Sequence, residues 1–339
     1  MSENQKDADE KAPVVITPGG PRSKDSVHMV SPDSVVSFEE EKPAETRQPV
    51  RESNSSITGN LVLTPGGYRD RSQVRLVKPG HTVTVEKELR AVERVNRMER
   101  TTPDVSVPPA PLDEANWISA VWWQNTTGEI ITSFRTTWQV PPAPARQAQQ
   151  LLYIFNGIQP EESASVQTIL QPVLQWGGRG ADEDGVTRVG NFWTVASWIV
   201  PDAQGIVHHT PHVRVNPGDI LVGNMTLTAQ SGGVFTYTCE FEGIPATRFS
   251  VDNMPELTWC IEVLEVYELD STVAPPYDLH TASEYPDTER IAFREVNIRT
   301  GNGNPSGNWL IEDYITTFGE HSVLVPDSPV NGEIDIYFR

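Results

Sequence analysis

Cysteine is nearly missing from this chain: two residues, Cys239 and Cys260, in 339. Two thiols exclude a disulfide framework, and neither has zinc-type spacing. With nothing in the sequence that marks export, they are expected as two buried free thiols. Long apolar runs are also lacking, and none approaches the roughly 20 residues that a bilayer-spanning helix needs. The opening stretch, MSENQKDADEKAP, has no apolar segment of the kind a secretory leader carries. The expectation is a cytoplasmic protein, with export by another route as the alternative. Positive charge is scarce. Lys and Arg number 26 against 46 Asp and Glu, a formal net charge of −20. Such a surface repels phosphate backbones and anionic lipid, so neither nucleic acid nor a membrane is an expected partner. Hydrophobic residues make up 37%, low for a fully packed chain, so part of it is expected to lie outside any core.

Residues 1–60 are rich in Glu, Lys, Ser and Pro and read as a largely disordered tail. Two segments stand out. Val15-Ile16-Thr17-Pro18-Gly19-Gly20-Pro21-Arg22 recurs as Val62-Leu63-Thr64-Pro65-Gly66-Gly67-Tyr68-Arg69, and the match continues without a gap to Pro32 and Pro79. This is an internal repeat. In each copy a short apolar strand runs into a Pro-Gly-Gly turn, where Pro presets φ and Gly supplies positive φ, and a basic patch and a second short strand follow. The plain reading is two hairpins, or strands added at a sheet edge. Duplication also suits a pair of docking motifs for one protein partner, through avidity. Next, Val85, Leu89, Val92 and Val95 fall on one face of a helix, predicting a short helix over Val83–Arg100. A Pro-rich linker from Thr102 to Pro111 follows. The expected organisation is a tail over 1–60 with the first motif, a segment over 61–111 with the second motif, helix and linker, and a β domain over 112–339.

From Trp117 onward the pattern is strands. Ile130 to Val140 is β-branched and aromatic and stops at Pro141-Pro142. Leu151–Ile158, Thr168–Trp176, Phe192–Val200, His212–Val215, Ile220–Leu227, Val234–Glu242 and Leu257–Tyr267 follow, divided by turns such as Asn216-Pro217-Gly218-Asp219 and Ser231-Gly232-Gly233. Many short strands without long helices predict an all-β fold, a two-sheet antiparallel β-sandwich behind a polar N-terminal region that holds a short helix.

Asn116-Trp117, Phe134 to Pro141, Ile169-Leu170-Gln171, Trp193 to Pro201, Val215 to Asp219, and Thr258-Trp259-Cys260-Ile261-Glu262 keep one order along the chain. Together they resemble the eqolisins, the glutamic peptidases, which are acid endopeptidases on a concanavalin-like β-sandwich. Uncharacterised proteins of the same sandwich type look similar too. The resemblance covers about residues 110 to 300. It implies that Gln171 takes the place of the catalytic Gln and Glu262 that of the catalytic Glu. Glu265 lies three residues on, which along a strand means the opposite face, and Trp259 in the aromatic position favours Glu262. Two positions depart from the family. Ser197 stands where it has a Glu, and Asn156 falls in the stretch where it has an Asp.

The chemistry implied needs neither metal nor cofactor. Glu262 would take a proton from water and pass it to the leaving nitrogen, worth about 10²–10⁴ in rate. Gln171 would hold the water and donate to the developing oxyanion, worth about 10²–10³. Trp138, Trp198 and Trp259 are candidates for holding substrate, although core packing is the default for aromatics in a sandwich. Trp122 and Trp123 are adjacent and must point to opposite faces. A glycosidase would need two carboxylates about one bond, and the transferred positions give one acid and one amide. A non-catalytic carbohydrate- or peptide-binding module is the alternative function. The acidic turn Ala181-Asp182-Glu183-Asp184-Gly185 lacks a full calcium-loop pattern. His208 and His212 share a strand face, but Pro211 interrupts the strand and no carboxylate or Cys stands at ligand spacing, so no metal is expected.

Overall fold

The structure is a computed structural model, and it describes residues 14–17, 20–23, 61–84, 116–148, 150–161, 164, 168–178, 185–201, 206–268 and 279–339. The chain divides into two units, Met1–Ser55 and Ser56–Arg339. In the first, β1 (Val14–Thr17) and β2 (Gly20–Ser23) form a hairpin in which Thr17 pairs with Gly20. The second opens with the equivalent hairpin, β3 (Leu61–Thr64) and β4 (Gly67–Asp70), in which Thr64 pairs with Gly67. The repeat seen in sequence is thus a repeat of structure, in the same register.

Nineteen strands make up the second unit, counting that hairpin. After it come β5 (Val74–Leu76), β6 (Thr82–Thr84), β7 (Trp117–Gln124), β8 (Ile131–Gln139), β9 (Gln150–Gln159) and β10 (Thr168–Gly177). Then follow β11 (Gly190–Pro201), β12 (Val207–His209), β13 (Val213–Arg214), β14 (Ile220–Ser231), β15 (Val234–Phe241), β16 (Phe249–Met254) and β17 (Trp259–Glu268). The last four are β18 (Arg290–Thr300), β19 (Leu310–Asp313), β20 (His321–Leu324) and β21 (Val330–Tyr337). One sheet has nine strands in the order β19-β7-β17-β9-β10-β11-β12-β5, with β13 also on β11. The other has eight, β20-β21-β18-β8-β14-β15-β16-β6. The all-β sandwich expected from sequence is present.

The antiparallel expectation needs one correction. β5 pairs in parallel with β12, and β6 in parallel with β16. These two strands come from the segment before the expected domain start at 112, and no tight turn joins them to their neighbours, so nothing forces an antiparallel direction. Residues 74–84 therefore add one strand to an edge of each sheet. The helix expected over Val83–Arg100 lies outside the described residues except Val83 and Thr84, which are in β6. The linker, most of the tail and most of the acidic turn at 181–185 also lie outside them. Among the described residues no helix is long and apolar enough to cross a membrane.

Turn chemistry sets the registers. In Ser231-Gly232-Gly233-Val234 both glycines have positive φ, and Ser231 pairs with Val234 across a two-residue loop. Asp219 accepts the Asn216 N–H at 2.8 Å in the Asn-Pro-Gly-Asp turn. Between the sheets lies the main core. Trp138 packs edge-on to Phe241 and Phe293 at 5.6 and 5.5 Å, and Trp123, Leu152, Leu174, Cys260 and Leu264 join it from the nine-stranded sheet. Both cysteines are buried and free, as expected.

A second apolar cluster covers the outer face of the nine-stranded sheet: Trp117, Trp122, Tyr153, Phe155, Val173, Trp198, Ile261, Val263 and Tyr267, with Leu63 packed on it. β9 and β10 are buried along their whole length. Trp123 faces the core and Trp122 the outer cluster, as adjacent strand residues must.

At Gly223 on β14 the two sheets approach closely. A Cβ there would sit 2.4 Å from Asn156 Oδ1, 2.7 Å from Trp138 Cη2 and 2.8 Å from Pro172 Cγ. Gly223→Ala is expected to cost about 1–3 kcal/mol, as overpacking does. Urea unfolding checks this, and an unchanged midpoint would refute it.

Candidate active site

Alternation along β17 decides which carboxylate meets Gln171. Cys260, Leu264 and Val266 belong to the core between the sheets, and Ile261, Val263 and Tyr267 to the outer cluster. Glu262 therefore points into the sandwich, where Thr136 of β8 donates to its Oε1 at 2.6 Å. A register shift between Leu264 and Glu265 in the pairing with β7 does not disturb the pairing with β9, which runs unbroken from Trp259 to Glu268. Glu265 thus stands on the outer face. On β10, Leu170 and Leu174 face the core and Ile169 and Val173 the outer cluster, so Gln171 is on the outer face as well. The structure does not bring Gln171 and Glu262 together. It brings Gln171 and Glu265 to one cavity.

That cavity is lined by Pro65, Gly66, Trp117, Phe155, Ile169, Gln171, Val200 and Glu265. It offers about 10 Å³ for the centre of a water-sized sphere, which is room for about one water. Gln171 and Glu265 lie two strands apart, with β9 between them, and no hydrogen bond joins them. Gly157 of β9 keeps the sheet surface open beside the amide. A Cβ on it would lie 3.6 Å from Gln171 Cβ and 3.2 Å from Ile261. Gln171 is buried, and its Oε1 has no hydrogen-bond partner among the described residues.

The lid of the cavity is the second Thr-Pro-Gly-Gly turn. Pro65 precedes Gly66, whose φ of +80° is the one a type II turn requires at its third residue. The Gly66 N–H donates to Glu265 Oε1 at 2.9 Å, and Tyr267 donates its hydroxyl to the same oxygen at 2.5 Å. Tyr153 donates to the Leu63 carbonyl at 3.1 Å. Tyr68 meets the edge of Tyr267, with centroids 6.4 Å apart. Thr64 and Pro65 are buried. Burial, and after it the Glu265 carboxylate, push the Tyr153 and Tyr267 hydroxyls well above their ordinary value. Both stay protonated donors.

The tryptophans divide. Trp138 lies in the core between the sheets and has no access to the cavity, because its parity on β8 points it inward. Trp198 is on the outer face but stacks on His209 at 4.4 Å. Trp259 is half-buried at the rim of the outer cluster, edge-on to Trp122 at 5.9 Å. The aromatics that line the cavity are Trp117 and Phe155; Trp117 belongs to the Asn-Trp pair of the resemblance, but neither was named as a candidate for holding substrate. Their signal was the strand pattern itself, because both share a face with Gln171. Ser197, at a departure from the family pattern, faces the core beside Cys239. Asn156, at the other, donates to the Gly223 carbonyl at 3.3 Å.

Of the histidines, His209 and His212 come together, at 5.3 Å between centroids. His212 shares a hydrogen bond of 3.1 Å with Gln175 Oε1. Burial, then His209 and Arg188, hold its pKa well below the usual range. No group of three or more metal-ligating side chains occurs among the described residues.

Burial raises the Glu262 carboxyl well above its ordinary 4.5, and the Thr136 hydrogen bond only partly opposes this. A carboxyl raised in the folded chain stays protonated there while the unfolded chain has already lost its proton. Its stabilising effect is whole below the unfolded pKa and fades as pH rises toward the folded one. Glu262→Gln is expected to match the wild type near about pH 4 and to exceed it in stability near about pH 7. Urea unfolding at both values tests this, and parallel losses in the two proteins would refute it.

No protein-family model matches the chain, and no characterised protein matches it in sequence. Among solved structures, the chain is similar to scytalido-glutamic peptidase with a peptide-based transition state analogue, at 15% identity and a TM-score of 0.42, over 67% of this chain and 99% of that one. It is similar over the same shares to SCP-B, a member of the eqolisin family of peptidases, in complex with the tripeptide Ala-Ile-His, at 13% identity and a TM-score of 0.34. A β-porphyranase from the human gut bacterium Bacteroides plebeius matches at 8% identity and a TM-score of 0.20, over 46% of this chain and 67% of that one.

Proposed function

We propose that the outer face of the nine-stranded sheet is a peptide site that hydrolyses amide bonds with Glu265 and Gln171. One observation carries the reading: Glu265 already holds a peptide N–H, that of Gly66, with Gln171 across the same small cavity. A substrate strand in place of the turn would present its own peptide group there. Glu265 takes a proton from a water placed between the two side chains, and the oxygen adds to the carbonyl carbon. The Gln171 amide N–H donates to the oxyanion. The proton then passes from Glu265 to the leaving nitrogen, the C–N bond breaks, and an acid and an amine result. Each proton taken up is returned, and no metal is called for. The resemblance seen in sequence adds the expectation of activity on the acid side.

A second reading has its own observation. The site is filled by the chain's own turn, as expected of a peptide-binding module without chemistry. Degradation of a denatured protein across roughly pH 2 to 7 separates the two. Wild type and Gly66→Val are both assayed, because the substitution is expected to lift the turn away. Glu265→Gln is expected to lower the rate by about 10²–10⁴ and Gln171→Ala by about 10²–10³, whereas Glu262→Gln keeps it. Cleavage lost with Glu262→Gln but not with Glu265→Gln would overturn the assignment. No cleavage by folded Gly66→Val at any pH would leave the binding module.

A further inference from the structure

The seat on the outer face reads little that is particular to the second repeat. Its contacts include a backbone N–H at Gly66, a backbone carbonyl at Leu63, the Leu63 side chain packed on the outer cluster, Pro65 lining one cavity with Trp117, Phe155 and Ile169, and the bare Cα of Gly66 beside Val200. The first repeat supplies each of these 47 residues earlier: Ile16 for Leu63, Pro18 for Pro65, Gly19 for Gly66. Its strands pair Thr17 with Gly20 as Thr64 pairs with Gly67. We infer that the seat is a receptor for the Thr-Pro-Gly-Gly hairpin as a class, and that the first repeat, Val14–Ser23, is its second ligand.

The chain thus carries two ligands for one seat. They differ where selectivity would show. Tyr68 meets the edge of Tyr267, and the first repeat has Pro21 at that position. The first repeat lacks this contact and is the weaker ligand, consistent with the second holding the seat. The requirement for glycine after proline is steric. A Cβ at Gly66 would lie 3.2 Å from Val200 Cγ1, and its φ of +80° is one that side chains rarely adopt. Any polypeptide that takes this seat therefore presents Pro-Gly with an apolar residue two positions before the proline. Docking requires no hydrolysis, so this assignment stands or falls apart from the peptidase reading.

The probe is a fluorescent synthetic peptide of residues 11–34, read by anisotropy and titrated into the full chain carrying Gly19→Val, so that the tethered first repeat does not compete for the seat. With Gly66 in place the seat is open only for the fraction of time that the resident turn is away. The peptide Kd is therefore expected to tighten about tenfold or more when Gly66→Val is added and the resident turn is unseated. The same peptide with Gly19→Val is expected not to bind. Equal Kd with and without Gly66→Val in the chain, or binding indifferent to Gly19→Val in the peptide, overturns the inference. Should Gly66→Val fail to fold by circular dichroism, Leu63→Asp unseats the hairpin through its strand instead and carries the same expectation. The peptide mass is read after each titration, so that cleavage is not counted as release.

Discussion

A sheet covered on both faces leaves no strand residue a neutral direction, and the site depends on that constraint. On β9, β10 and β17 the buried apolar side chains are committed either to the space between the sheets or to the cluster under the β3–β4 hairpin. A polar group on such a strand must find a partner on its own side, because the other side is sealed by backbone. Glu262 finds Thr136, and Glu265 finds Gly66 and Tyr267. Their chemistry is divided by one strand thickness. The inward carboxyl is pressed toward its neutral form, and the outward one accepts a peptide N–H.

The fold was legible because its signals are local. Ile130 to Val140, Thr168 to Trp176 and Phe192 to Val200 announce strands by composition and stop at prolines and glycines. The strands of residues 290–337 were not marked out. Asn, Asp, Arg and Glu interrupt them, and two positions with left-handed φ, Glu295 and Asn331, bend them. Of the two edge strands, Val74–Leu76 falls on the second short strand of the repeat, and addition to a sheet edge was one of the expected readings. Thr82–Thr84 was not marked out, because three residues give no period and its partner lies more than a hundred positions away.

Gln171 was singled out by its motif, and it lines the cavity on the outer face. The choice between Glu262 and Glu265 was correctly posed as a matter of faces, but an aromatic neighbour could not settle it. Trp259 sits one residue from Cys260, which faces the core, and two from Ile261, which faces outward, so nearness to an aromatic carries no information on parity. The unbroken pairing of β17 with β9 fixes the faces, Glu262 inward and Glu265 outward. That the second Thr-Pro-Gly-Gly turn sits on this same face could not be read at all, since Gly66 and Glu265 meet across 199 positions.

The ribbon from Leu61 to Thr84 is made before every strand it rests on. Its hydrogen bonds go to β12, β16, Tyr153, Arg248 and Glu265, all of which leave the ribosome later. During synthesis the ribbon has no receiving surface, and the closure of such long loops comes late in any folding route. Order of birth and order of docking are therefore reversed. Until the ribbon arrives, β12 and β16 are open edges, the kind of surface through which nascent β-proteins pair with the wrong neighbour. The same ribbon closes an edge of each sheet and covers the cavity, so completion of the fold and occupation of the site draw on one segment.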